Sequence, residues 1–324
     1  MIIGVNHYSS SLDLAKGIGI ILVILGHTLC PSHFLINVFH MPLFFFISGM
    51  TFHRSDKVRD FLIKKINRII IPWLFFTSIS ILICLVIYRS PKSPSGWDFN
   101  APLWFLQTLF VSLLVYVVLE RKLKGYWLSI AVCLLSFIGY YTAKTGIAES
   151  FPWHIMRAFI ALLFIHLRHM YNKLTGRKNL KKVNLIILAI SFIVYVVSCY
   201  IAITHYSNCE TYSFVNSDIY TFNVFLFLPA SISGILIVVS VSVLFQSIKV
   251  INNMGKNSLI ILCVHFPLIE YLNALAAESF LYTFSLGKVV LMFLIVFLII
   301  LWSYAFIWFS KKYIPQLTGY KNIL

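Results

Sequence analysis

The chain has 324 residues, of which 60% are apolar or aromatic and only 11% charged, where a soluble domain carries about 25% charged residues. That composition excludes an ordinary soluble enzyme, and ten spans of about 20 residues would leave about 124 for loops and tails, too few for an appended soluble domain. The excess of 26 Lys and Arg over 10 Asp and Glu would suit nucleic acid in a more polar chain; here it orients membrane loops and predicts no nucleic-acid partner.

Apolar stretches free of charge runs fall at residues 17–30, 34–53, 69–88, 103–119, 126–142, 154–167, 184–205, 222–245, 258–277 and 289–309. They predict an all-α polytopic membrane protein of about ten transmembrane helices, a single membrane domain over residues 1–324. Ten crossings put both termini on one side. With a cytoplasmic N-terminus, 21 of the Lys and Arg residues lie on that side: Lys16, six within 54–68, three within 121–124, six within 168–182, then Lys249, Lys256, Lys311, Lys312 and Lys321. Only five, Arg89, Lys92, Lys144, Arg157 and Lys288, lie on the other. This is the positive-inside pattern of a multi-pass protein in the cytoplasmic (inner) membrane, with N- and C-termini cytoplasmic. No basic n-region or A-x-A-like site marks a cleavable signal peptide, so the first span is expected to remain. The basic loop from Arg168 to Lys182 reads as a solvated anchor to anionic lipid headgroups.

In the first span eleven positions separate Lys16 from His27, which at 100° per residue accumulate about 1100°, some 20° past three full turns. Both side chains therefore share a helix face roughly 16 Å apart along the axis, the cation at the cytoplasmic rim and the imidazole deep. Such a spacing suits a long ligand with an anionic head and a reactive tail, and Asp13, three residues before Lys16, is placed to orient it. The plain structural alternative is a snorkelling Lys16 and an interhelical, hydrogen-bonded His27. The second span adds a second buried His, a helix-bending Pro and a small pair in Phe39-His40-Met41-Pro42, with Ser48-Gly49 behind them. Beyond it, Lys65 and Arg68 are three apart, so on an α-helix they share a face at the cytoplasmic boundary, where phosphates would be met; simple anchoring is the alternative.

Later spans carry fewer signals. Trp97, Trp104, Phe105 and Trp153 lie near the predicted outer face, where they could stack on sugar rings or simply mark the interface. Arg157, inside the sixth span, must face protein or a cavity; it would bind an anionic group or pair with Glu149. His166 and His169 read as the cytoplasmic end of that span. His265, with Pro267 and Glu270, makes the ninth span a poor lipid-facing helix. Met254-Gly255-Lys256-Asn257-Ser258 lacks the upstream glycine and strand of a phosphate loop and reads as the start of that helix, with Asn257 or Ser258 as cap. The six cysteines, Cys30, Cys84, Cys133, Cys199, Cys209 and Cys263, are scattered with no C-x-x-C pair, so neither a disulfide nor a metal site is expected.

Taken in order, Asp13-x-x-Lys16-Gly17, Gly26-His27, Phe39-His40-Met41-Pro42, Phe46-x-Ser48-Gly49, Lys65-x-x-Arg68 before Pro72, Pro102-Leu103-Trp104-Phe105-Leu106 and Gly255-Lys256-Asn257-Ser258 with His265 resemble the integral membrane acyltransferase 3 family. The resemblance implies transfer of an acyl group, usually acetyl from acetyl-CoA, to a sugar hydroxyl of a cell-surface or envelope polysaccharide, with a glycan or lipid-linked sugar as acceptor. It places the family's basic residue and His, ten residues between them, at Lys16 and His27, and the paired basic motif at Lys65 and Arg68. Lys stands at 16 and 65 where Arg is common in the family, and Lys lacks the bidentate fork that matches phosphate.

On this reading CoA phosphates dock against Lys16, Lys65 and Arg68, oriented by Asp13, and the pantetheine arm runs inward. His27 acts as general base or acetyl relay, with His40 or His265 as second base or orienting group. Ser48, Gly49, Trp104, Phe105 and Arg157 line or pack the site, and no metal is expected. The rivals are a transporter or flippase for a glycan intermediate, in which the buried His and Lys form a pathway, and a structural subunit of an assembly complex.

Overall fold

The computed structural model describes residues 2–30, 33–52, 57–89, 100–145, 147, 151–175, 180–205 and 224–323. Trp97, Glu149, Lys92 and Cys209 lie outside them. The described residues form helices and no strands, so the all-α prediction holds. In chain order the helices are α1 (Ile2–His27), α2 (His33–Asn37), α3 (His40–Met50), α4 (Val58–Lys65), α5 (Ile71–Tyr88), α6 (Trp104–Lys122), α7 (Gly125–Lys144), α8 (Ile155–Thr175), α9 (Leu180–His205), α10 (Val224–Phe245), α11 (Lys249–Lys256), α12 (Ser258–Ala277) and α13 (Ser285–Tyr313).

Among the described residues nine segments are long and apolar enough to cross a membrane: α1, α2 with α3, α4 through α5, then α6, α7, α9, α10, α12 and α13. Missing from them is α8, the predicted sixth span. Its 21 residues would reach across about 30 Å of hydrocarbon, but Arg157, His166, Arg168, His169 and Lys173 make it too polar to pass on composition. Its apolar stripe is nevertheless buried, with Ala158, Ala161, Leu162, Phe164 and Ile165 fully enclosed. A helix that polar is held among other helices rather than by lipid.

The described chain divides into two compact units. The first contains Met1–Val23, Ser32–His53 and Val111–Ser258, and in it α8 packs on α3, α7 and α9 while α10 packs on α9 and α3. The second contains Ile24–Pro31, Arg54–Phe110 and Leu259–Leu324, with α4, α5, the start of α6, α12 and α13.

Two prolines explain why the second and ninth spans read poorly. A proline has no N–H to give and its ring crowds the carbonyl four residues earlier, so that carbonyl must find another donor. Pro42 lies in the first turn of α3, just after the break from α2, and the Val38 carbonyl accepts a hydrogen bond from Ser231 Oγ at 2.6 Å. Pro267 lies inside α12. There the Cys263 carbonyl accepts from Asn100 Nδ2 at 2.7 Å, and the Val264 carbonyl from Trp302 Nε1 at 3.3 Å. At both prolines the freed carbonyl accepts from a polar side chain distant in the chain, which is how proline-containing helices keep their backbone satisfied in lipid.

Within the first unit α11 lies flush on α1. A β-carbon at Gly17 would sit 2.0 Å from the Ile251 carbonyl oxygen, and one at Gly255 1.8 Å from that of Asp13, so neither position tolerates a side chain without separating the helices. Asn252 fastens the same crossing by donating to the Ser10 carbonyl at 2.8 Å. The early Asp13-x-x-Lys16-Gly17 motif and the late Gly255-Lys256 motif thus pack directly together. Asn257 links α11 to α12, and its side-chain amide donates back to the Asn253 carbonyl at 2.7 Å.

Candidate active site

Two of the three histidines singled out in the sequence meet in the second unit. The rings of His27, the last residue of α1, and His265 of α12 lie 5.6 Å apart at 44°, and Phe266 presents its edge to His27 at 5.2 Å. His265 is fully buried. Its Nδ1 lies 2.8 Å from the Leu262 carbonyl and 3.1 Å from that of Ile261; because a carbonyl only accepts, Nδ1 carries the proton and Nε2 keeps the lone pair of a base. The end of α1 is tied down as well: the orphan carbonyl of His27 accepts from Asn273 Nδ2 of α12 at 2.9 Å.

His40 belongs to the first unit. It is buried at the start of α3, and its Nδ1 donates to the Ile36 carbonyl at 3.0 Å, which fixes the same tautomer as in His265. Also in this unit, Lys16 is half-buried on α1 and pairs with Asp13 at 3.2 Å, the partner expected from the three-residue spacing. Gly49 sits against the Ile165 carbonyl, where α3 meets α8. Ser48 is its half-buried neighbour.

Lys65 and Arg68 lie in the second unit but not on one α-helical face. Lys65 ends α4, and residues Ile66–Ile70 form a π-turn before α5 begins. A π-turn closes i→i+5 rings and takes more residues per turn than an α-helix, so three positions no longer nearly complete a turn and the two cations fan apart. The Lys65 ammonium stands 5.5 Å above the Phe61 ring, within electrostatic reach of Arg68. Trp104 and Phe105 begin α6 in the same unit, edge to face at 6.3 Å and buried. They pack the helix start and offer no face for sugar stacking in this structure. Trp153 is exposed on a left-handed turn, and Arg157 is half-buried on α8.

The acyltransferase 3 family model, described as an acyltransferase domain, matches residues 9–308. The chain belongs to the acyltransferase 3 family. No curated protein and no solved structure matches it. The match covers every motif quoted above, and it makes the protein a multi-pass membrane acyltransferase.

One polar cluster of this acyltransferase is not among the sites expected from its sequence. Arg168 is a buried residue of α8 rather than the first cation of a solvated loop, because α8 continues two turns beyond the apolar stretch to Thr175. Its guanidinium donates to the carbonyls of Gly49 and Phe52, each at 3.0 Å, ion-pairs with Glu120 of α6, and lies 4.7 Å over the Phe52 ring. The cation thereby closes the carbonyl end of α3. Next to it, Tyr116 Oη lies 3.0 Å from both His166 Nδ1 and His169 Nε2, and Ser129 Oγ lies 2.9 Å from His166 Nε2. These two histidines therefore bind α6 and α7 to α8 instead of simply ending a span. A signal was present: Arg168 falls on the same stripe as Ala161, Phe164, Tyr171 and Thr175, and Glu120 is an isolated acid before a basic loop.

Because the pair is enclosed, removing one partner leaves an uncompensated charge. Glu120→Ala is expected to destabilise the first unit by about 3–5 kcal/mol, read as a lowered unfolding midpoint of the detergent-solubilised protein. The double variant Glu120→Leu with Arg168→Met should lose less than the two single losses added together.

Proposed function

We propose that this acyltransferase moves an acetyl group from acetyl-CoA to a sugar hydroxyl of a cell-surface or envelope polysaccharide, from the cytoplasmic (inner) membrane. The observation that carries the reading is the contact between His27 and His265 in an apolar setting, with the tautomer of His265 fixed so that Nε2 is basic. In the direct route an imidazole takes the acceptor hydroxyl proton as the oxygen forms its bond to the acetyl carbon. The carbon–sulfur bond breaks, and the departing CoA thiolate regains a proton. In the relay route His27 holds the acetyl group between the two half-reactions. Asn273 supports either route. Its Nδ2 holds the His27 carbonyl, while its Oδ1 is buried without a hydrogen-bond partner among the described residues, an acceptor for an N–H or O–H of substrate.

Lys65 and Arg68, in the same unit as the histidine pair, supply cations for the CoA phosphates, and Lys16 with Asp13 supplies another at the first helix. Lys65→Ala and Arg68→Ala should each weaken CoA binding by about 1.5–3 kcal/mol, the usual range for hydrogen bonds to charged groups. The loss should shrink as salt is raised, because a wet membrane edge is screened. Unchanged CoA affinity in both variants would reduce the pair to membrane anchors.

The decisive assay uses the purified chain in lipid nanodiscs with labelled acetyl-CoA. Acetyl transfer to glycan, or protein-dependent acetyl-CoA hydrolysis, supports the reading; neither activity, together with glycan movement across vesicles, would favour the transporter. For orientation, tags at residues 60, 123, 175, 252 and 320 should report from the cytoplasm and tags at 95, 147, 212 and 282 from outside. A reversed pattern would overturn cytoplasmic termini.

A further inference from the structure

The segment after α13 is packed against the basic motif of the second unit. Residues Pro315 to Ile323 fold back in successive turns: Thr318 donates to the Ile314 carbonyl through both its N–H and its hydroxyl, and the Tyr320 N–H donates to the Pro315 carbonyl at 2.8 Å. Thr318 is buried, and Lys311 stands 5.1 Å over the Tyr320 ring. At Gly319 the backbone is left-handed, with φ 77°, and a β-carbon there would lie 3.2 Å from Pro72 Cγ and 3.5 Å from the Arg68 carbonyl oxygen. The segment thus rests on the π-turn between Lys65 and Pro72.

Its most specific contact is to Asn67, one of the two residues between the cations. Asn67 is 1% exposed. Its Nδ2 donates to the Ile63 carbonyl at 2.9 Å, within its own helix, and its Oδ1 accepts the Ile323 N–H at 2.6 Å. A π-turn is intrinsically disfavoured against a continuous α-helix and persists where something outside the hydrogen-bond ladder holds it. Part of that external support here is a backbone N–H from 256 positions further along the chain.

We propose that the segment Pro315–Ile323 braces the π-turn, and that Asn67 and the Ile323 N–H are positioning groups that set the spread of Lys65 and Arg68 for the phosphates of the acyl donor. The proposal rests on the donor reading given above. Releasing the Ile323 N–H lets the turn relax toward α-helix, which draws the two cations onto neighbouring positions of one face and costs phosphate contacts. Nothing in this step touches the histidine pair.

The test measures CoA binding to the full chain in nanodiscs at low and high salt. Ile323→Pro deletes the N–H and should raise the CoA dissociation constant roughly five- to tenfold, the worth of one hydrogen bond, and flatten its salt dependence. Ile323→Ala keeps the N–H and should restore wild-type binding. Gly319→Ala reaches the same turn through Pro72 and Arg68 and should shift affinity in the same direction. A variant that merely unfolds in part would lose bound CoA but keep the wild-type salt slope in its folded fraction, and that result overturns the proposal. So does wild-type affinity and slope in Ile323→Pro. If the wild-type chain itself binds no CoA, the donor reading fails first, which separates the two failures.

Discussion

His27→Ala is expected to abolish acyl transfer while the protein still inserts and still binds CoA. General acid–base catalysis is worth about 10²- to 10⁴-fold, and a covalent relay at the same ring would make the loss complete. The ring sits at the end of a helix whose last carbonyl is tied to α12 through Asn273, and it touches His265. Its removal therefore takes away the proposed reacting group without removing the tie. Only another titratable base at position 27 should restore chemistry. Substantial glycan acetylation by His27→Ala, followed by chromatographic quantification of acetylated product, would exclude both the general-base and the relay route at this residue and shift attention to His265 or His40.

The second large effect is expected at the other end of the same helix. Lys16→Ala should lose CoA binding, whereas Lys16→Arg should keep or improve it. α1 runs unbroken from Ile2 to His27, so the cation and the imidazole stay on one face roughly 16 Å apart. On the proposed donor reading the deep group reaches the thioester only while the shallow one holds the charged end. Arg keeps the charge and adds a fork that matches phosphate. Equilibrium binding of labelled CoA decides the matter; an unaffected Lys16→Ala would return this residue to its pairing with Asp13 and to headgroup contact.

Much of this could be read before any coordinates, and the exceptions have physical causes. The helical class and most spans followed from stretches of apolar residues, and the Lys16–Asp13 pair followed from helical spacing. The breaks at Pro42 and Pro267 were legible as weak spans, but the residues that close them, Ser231, Asn100 and Trp302, were not, since nothing local ties them to a freed carbonyl. Likewise the meeting of His27 with His265 depends on which helices adjoin. The shared face assigned to Lys65 and Arg68 assumed α-helical periodicity through residues that form a π-turn, and nothing local announces that turn or the Ile323 N–H bonded to its Asn67. Arg168 was misread because positive charge near a span end usually means lipid headgroups, and only its place on a buried stripe argued otherwise.

That arginine also bears on how the protein is made. A helix carrying Arg168, Arg157 and Lys173 gains little by partitioning into lipid from the insertion machinery, where a single central Arg is disfavoured by about 2.5–3.5 kcal/mol. Its release has to be drawn by protein already in place. The groups that accept its guanidinium, the carbonyls of Gly49 and Phe52 and the carboxylate of Glu120, all come earlier in the chain. Synthesis from the N-terminus therefore has the socket waiting when α8 emerges, and a nascent chain cut short before Arg168 would hold α3 in the bilayer with its carbonyl end unsealed by that cation.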